Sequence, residues 1–124
     1  MDSGEVVRGA IEAFNRGDFD AVAEVIHPEI EVIRLGGLPT VTGRDAAFGL
    51  MVPDAFDSQE LVIDGMRVEG EVVLVSGPFR ARGAGSGIQL SRESHSVFWV
   101  EDGLIRRMGT YFELDEALAA AGMS

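Results

Sequence analysis

The residues best suited to proton transfer in this chain are a histidine and a nearby carboxylate. His95 follows Glu93 by two positions, so both side chains would project from the same face of a strand. A histidine titrates near neutral pH and can exchange a proton with an enolisable substrate. We therefore predict that His95 is the acid/base group of a binding cavity. The alternative is a core histidine that bonds to Thr110 or to a backbone carbonyl.

Two further polar residues are candidates for the same site. Arg34 carries a planar fork of donors that can orient a carboxylate or a carbonyl, and an ion pair with an acidic neighbour is the alternative. Thr110 offers a hydroxyl that can donate or accept a hydrogen bond. The chain has no cysteine, and His27 lies far from His95 in sequence. We therefore expect neither a metal site nor a cofactor.

A hairpin signal, Asp102-Gly103, determines which of these side chains share a face. With those two residues as the loop, His95 pairs with Thr110 across the ribbon. The face that contains this pair would also carry Val97, Trp99, Met108 and Phe112. We predict that it lines the cavity. The opposite face would carry Phe98, Val100, Ile105 and Tyr111, and we interpret it as a homodimer contact.

The elements that must hold this hairpin begin with helices. Apolar residues recur at helical spacing over 2–17, 18–27 and 43–52, and capping residues or a following proline bound each segment. The apolar side chains Phe14 and Met51 from the first and third helices are expected to line the cavity. A strand is predicted over 30–35, and from Gln59 onward the pattern is strand, turn, strand, with a bulge or an edge at Gly77-Pro78.

The order of elements predicts one α+β domain over residues 1–124. A strongly curved, cone-shaped mixed or antiparallel sheet would carry three N-terminal helices on its concave face. A short helix over 115–121, ended by Gly122, would close the chain. The net charge of −11 repels phosphates, so nucleic acid and membranes are unfavourable partners. No signal sequence is visible, and we expect a cytoplasmic protein.

Two segments resemble the SnoaL-like group of the nuclear transport factor two superfamily: AFNRGDFDAVAEVIHPEIEV and VFWVEDGLIRRMGTYFELDEALAAAG. The resemblance covers nearly the whole chain and implies a cone of three helices on a curved sheet. It implies less about activity, because that superfamily includes isomerases, cyclases, hydrolases, dehydratases and binders without catalysis.

The catalytic positions of the better-known members are not kept. Ketosteroid isomerases would place a tyrosine at Ala10 and aspartates at Arg34 and His95, and an arginine cannot serve as a base. Relatives of limonene epoxide hydrolase would place a carboxylate at Thr110. The late acid of polyketide cyclases matches Glu113, which strand alternation puts on the face opposite His95.

The leading functional hypothesis is a small-molecule pocket protein, as an enzyme without a cofactor. It would isomerise, cyclise or dehydrate an apolar substrate beside a carbonyl. His95 would move the proton, Arg34 would orient the substrate and Thr110 would donate a hydrogen bond. The alternatives are a carrier or sensor that binds an apolar ligand unchanged, and a dimeric interaction module.

Overall fold

The protein is described by a computed structural model over residues 2–34 and 38–124. Its helices and strands follow the predicted order, with one additional short strand at Val41–Thr42. The helices of the described chain are α1 (Ser3–Asn15), α2 (Phe19–Glu24), α3 (Arg44–Met51) and α4 (Leu114–Ala121). The strands are β1 (Ile26–Ile33), β2 (Val41–Thr42), β3 (Phe56–Leu61), β4 (Gly65–Glu69), β5 (Val72–Gly83), β6 (Gln89–Glu101) and β7 (Leu104–Tyr111). None of the described helices has the length and apolar character needed to span a membrane.

The strands form one mixed sheet in the order β2-β1-β7-β6-β5-β3, with β4 also paired to β5. Strand β1 runs parallel to β7, and the other pairings are antiparallel. The sheet curls into a half-barrel, which confirms the predicted α+β fold with its short C-terminal helix.

The two faces of the sheet are covered differently. On the concave face, Val6 and Ile11 of α1 pack into one buried cluster with Val75 and Phe98 of the central strands. On the other face, α4 contributes to a second cluster that includes Leu74, Val97, Ala117 and Met123, with Trp99 and Tyr111 against it. Of the residues predicted for a dimer contact, Phe98, Val100 and Ile105 are instead buried in the concave cluster, and Tyr111 lies on the face that α4 covers.

Local signals place the first helix as predicted. The backbone N–H of Glu5 donates to Asp2 Oδ1 at 2.8 Å, and this hydrogen bond lowers the pKa of the Asp2 carboxyl. The second helix is shorter than predicted, because β1 already begins at Ile26. The N–H of Ile105 donates to Val25 O at 2.7 Å, so pairing with β7 replaces the last turn of that helix.

The predicted strand LVIDGMRV is interrupted at residues 62–64, where it passes β5 near Gly77. Strand β5 passes unbroken through Gly77, whereas its partner breaks between β3 and β4. The N–H of Val62 donates to Pro78 O at 3.0 Å, and that of Asp64 donates to Ser76 O at 2.9 Å. The predicted irregularity is present, but it lies opposite Gly77-Pro78 and not in the pairing of β5 with β6.

Candidate functional site

The Asp102-Gly103 turn forms as predicted, but the hairpin register shifts beyond it. Both residues have positive φ, 52° and 79°, as a two-residue type I′ turn requires, and Glu101 pairs with Leu104. Two positions further on, Trp99 pairs with Arg107 and not with the predicted Arg106. Strand β7 therefore contains one extra residue, a β-bulge.

Because of the bulge, the side chains of β6 lie on the opposite faces of the sheet from those predicted. The residues of β6 on the concave face include Ser94, Ser96, Phe98 and Val100. Val97 and Trp99 pack against α4 on the opposite face, so the prediction that they line the cavity is wrong. A shift of one residue moves every side chain of a strand to the other face. The side chains of β7 beyond the bulge, including Met108 and Thr110, keep their predicted face.

The spacing of buried residues explains why the bulge forms. Ile105 and Met108 both contact the concave cluster, although regular alternation would put two residues three positions apart on opposite faces. The extra residue allows both to be buried. The two arginines between them then project differently: Arg106 donates to the carbonyl of Glu29, and Arg107 lies over the Trp99 ring, with Cζ 5.0 Å from its centroid.

The three predicted catalytic residues are not brought together. His95 is on the face away from the cavity, where its Nδ1 lies 2.7 Å from Ser76 Oγ, so the prediction that His95 faces the cavity is wrong. This contact matches the alternative of a hydrogen-bonded structural histidine, with Ser76 as the partner. Arg34 follows the end of β1 and is not a lining residue, while Thr110 lines the cavity. Glu113 is exposed at the start of α4.

Replacing His95 by alanine tests this placement. We expect His95→Ala to leave the affinity of the cavity for an apolar ligand unchanged and to destabilise the fold by about 1 kcal/mol, because Ser76 loses its partner. Equilibrium dialysis and thermal unfolding measure the two effects. A more than threefold loss of affinity in the folded variant would contradict the placement.

A cavity of about 660 Å³ lies between the concave face of the sheet and the helices. It lies within the range of about 300–1,000 Å³ that is common for small-molecule sites. Predicted residues on its wall are Phe14, Met51, Met108, Thr110 and Phe112. Apolar residues that the prediction missed include Ile11, Val32, Phe56, Phe79, Leu90 and Phe98.

The polar side chains in this cavity are few. The Ser94 hydroxyl donates to Gly77 O at 3.1 Å, while Ser96 Oγ and Thr110 Oγ1 lie 3.1 Å apart. Because one hydroxyl of the latter pair donates to the other, the second hydroxyl keeps its hydrogen for a ligand. The Ser96–Thr110 pair can thus donate to a carbonyl oxygen inside the cavity. Ser94 and Ser96, two positions apart on β6, were a signal for this face that the predicted register obscured.

Acidic and imidazole groups do not line the cavity in the part of the chain that the structure describes. Arg92 is the single ionisable lining residue within the same part. Arg92, Leu90 and Phe112 are all exposed and mark the mouth. The cavity therefore combines a mostly apolar wall, a few neutral polar side chains and one cation at its entrance. The neutral polar residues are Gln59, Ser91, Ser94, Ser96 and Thr110.

Residues 7–108, most of the chain, match the family model of the SnoaL-like domain. The chain belongs to the SnoaL-like domain family. A search of curated proteins found no match for it. Solved structures share the fold of this SnoaL-like chain.

Three solved structures illustrate the fold. An NTF2-like protein of unknown function from Burkholderia pseudomallei is 23% identical, with 98% of each chain covered and a TM-score of 0.78. A putative SnoaL-like polyketide cyclase from Jannaschia sp. is 20% identical, with coverage of 98% of this chain and 92% of that one and a TM-score of 0.77. An LEH-like epoxide hydrolase from M. tuberculosis is 18% identical, with coverage of 96% and 88% and a TM-score of 0.77. At these identities the likeness shows the fold.

Proposed function

We propose that this SnoaL-like protein binds an apolar small molecule in its cavity and releases it chemically unchanged. The observation that carries the proposal is the composition of the wall: mostly apolar residues with a few neutral polar side chains, including the hydrogen-bonded Ser96 and Thr110, and no described carboxylate or imidazole. Apolar walls with a few placed polar groups are typical of small-molecule sites. Acid/base catalysis requires a titratable group within reach of the substrate, and His95 is on the other face.

The enzymatic hypothesis is the second candidate. The fold is shared with a putative polyketide cyclase and an epoxide hydrolase, and the Ser96–Thr110 pair could polarise a carbonyl. Incubation of the protein with acetylnaphthalene, followed by chromatography, separates the two candidates. We expect saturable binding of one molecule per chain and full recovery of the probe. Lack of saturable binding would overturn the proposed function, and conversion above a protein-free control would favour the enzyme.

The hydroxyl of Thr110 allows a prediction about ligand chemistry. We expect Thr110→Val, which keeps the shape of the side chain, to weaken binding of acetylnaphthalene about three- to tenfold through loss of a hydrogen bond. Binding of ethylnaphthalene, which has no carbonyl, should stay the same or tighten. Equal weakening of the two probes would show that the hydroxyl contributes through packing and not through a hydrogen bond.

The homodimer remains a prediction. It was motivated by an apolar face of Phe98, Val100, Ile105 and Tyr111, of which the first three are instead buried in the concave cluster. Sedimentation of the purified chain tests it, and a monomer at micromolar concentration would remove it.

A further inference from the structure

Among the described residues, Arg92 is the cation that borders the cavity. Its guanidinium lies over the Phe112 ring at the mouth of the cavity, with Cζ 3.7 Å from the ring centroid. Stacking uses the flat face of the guanidinium and leaves the N–H donors at its edge available. Phe112 thus positions a cation at the entrance without consuming its hydrogen-bonding capacity.

The charge of Arg92 is not neutralised by a neighbour. Arg67, Arg80 and Arg107 each form an ion pair with a glutamate, but Arg92 forms none within residues 2–34 and 38–124. The carboxylate next to it in sequence, Glu93, belongs to the other face of β6 by strand alternation. An unpaired cation beside an apolar cavity favours a ligand that brings its own negative charge.

The spacing along β6 indicates the shape of that ligand. Arg92 and Ser96 are four residues apart on the concave face of one strand, which separates their Cα atoms by roughly 13 Å. Apolar side chains such as Phe79 and Phe98 line the cavity that both residues border. An anionic group at Arg92 would therefore be joined to an elongated apolar body that reaches toward the Ser96–Thr110 pair.

We propose that the ligand class is an apolar carboxylic acid, with its carboxylate at Arg92 and its apolar body inside the cavity. This inference rests on the proposed function and adds the charge and orientation of the ligand. The planar guanidinium edge matches the two carboxylate oxygens. The net charge of −11 repels anions at long range, but added salt screens that field over about 8–10 Å while the short contact at Arg92 persists.

The test compares pyrenebutyrate with pyrenebutyramide, which have nearly the same shape but differ in charge. By equilibrium dialysis in 0.15 M salt, about five- to tenfold tighter binding of the acid is expected, as for one exposed charge-assisted contact. Arg92→Gln should bring the acid close to the affinity of the amide and weaken the amide much less than the acid. Arg82→Gln is the matched control, because Arg82 is exposed, does not line the cavity and carries the same charge.

The outcomes separate this inference from the proposed function. Equal affinity for acid and amide in the unmodified protein would overturn the carboxylate proposal alone, since the cavity would still bind. A preference that persists in Arg92→Gln, or that Arg82→Gln removes equally, would overturn it as well. Binding of neither probe would overturn the proposed function itself. Unchanged thermal unfolding of the two variants shows that each comparison is made on folded protein.

Discussion

Replacing Met108 by tryptophan should weaken the binding of ethylnaphthalene at least about tenfold, because an indole in the cavity takes space that the ligand needs. Met108 lines the cavity and pairs with Phe98 of β6. It lies two residues from Thr110, on the same face of β7. The added ring would therefore occupy the region in front of the Ser96–Thr110 pair. Equilibrium dialysis gives the affinity without interference from the new fluorophore.

A matched control separates cavity filling from a general effect of a new tryptophan. Leu114 is 44% exposed at the start of α4 and does not line the cavity, so Leu114→Trp should bind ethylnaphthalene like the unmodified protein. Equal affinity of Met108→Trp and the unmodified protein, with both folded, would mean that the ligand binds elsewhere. Equal weakening by both substitutions would point to the same conclusion.

The largest expected effect on stability is at Gly77, where β5 passes the break between β3 and β4. A Cβ atom added at Gly77 would lie 1.8 Å from the carbonyl oxygen of Val62 and 2.9 Å from its carbon. Because both are backbone atoms, relief requires moving β5 away from the segment that joins β3 to β4. We expect Gly77→Ala to lower the free energy of unfolding by about 3 kcal/mol or more, measured by urea denaturation.

Gly65 provides the control for this substitution. It lies on β4 and pairs with Ser76, the neighbour of Gly77, yet an added Cβ would meet no atom within 4 Å. We expect Gly65→Ala to change the free energy of unfolding by less than about 1 kcal/mol. If Gly77→Ala lowered the free energy of unfolding no more than Gly65→Ala, the close packing of Gly77 against Val62 would be contradicted.

Helix positions could be predicted because their signals are local. Asp2 accepts the hydrogen bond of Glu5 N, and Gly122 ends α4 with a φ of 70°. The start of β1 could not be read in this way. Residues 24–27 have apolar spacing that suits a helix, and only the parallel pairing of Ile26 with Ile105 of β7 makes the segment a strand.

The candidate site was predicted in part for a related reason. The turn at Asp102-Gly103 fixes the pairing of its first neighbours, such as Glu101 with Leu104. Met108 and Thr110 lie on the concave face, as predicted, because the bulge offsets an incorrect choice of face for β6. The geometry of the turn does not determine the bulge at Arg106, because the bulge depends on the packing of both Ile105 and Met108 under the helices. For that reason the predicted register put His95, and not Ser96, on the face of the cavity.

The most direct test of the account is a crystal structure of the protein with acetylnaphthalene. We expect one molecule in the cavity between α1 and the concave sheet, with its carbonyl oxygen within hydrogen-bonding distance of the Ser96 or Thr110 hydroxyl. His95 should remain bonded to Ser76 on the other face. A ligand bound outside the cavity, or one in contact with His95, would contradict it.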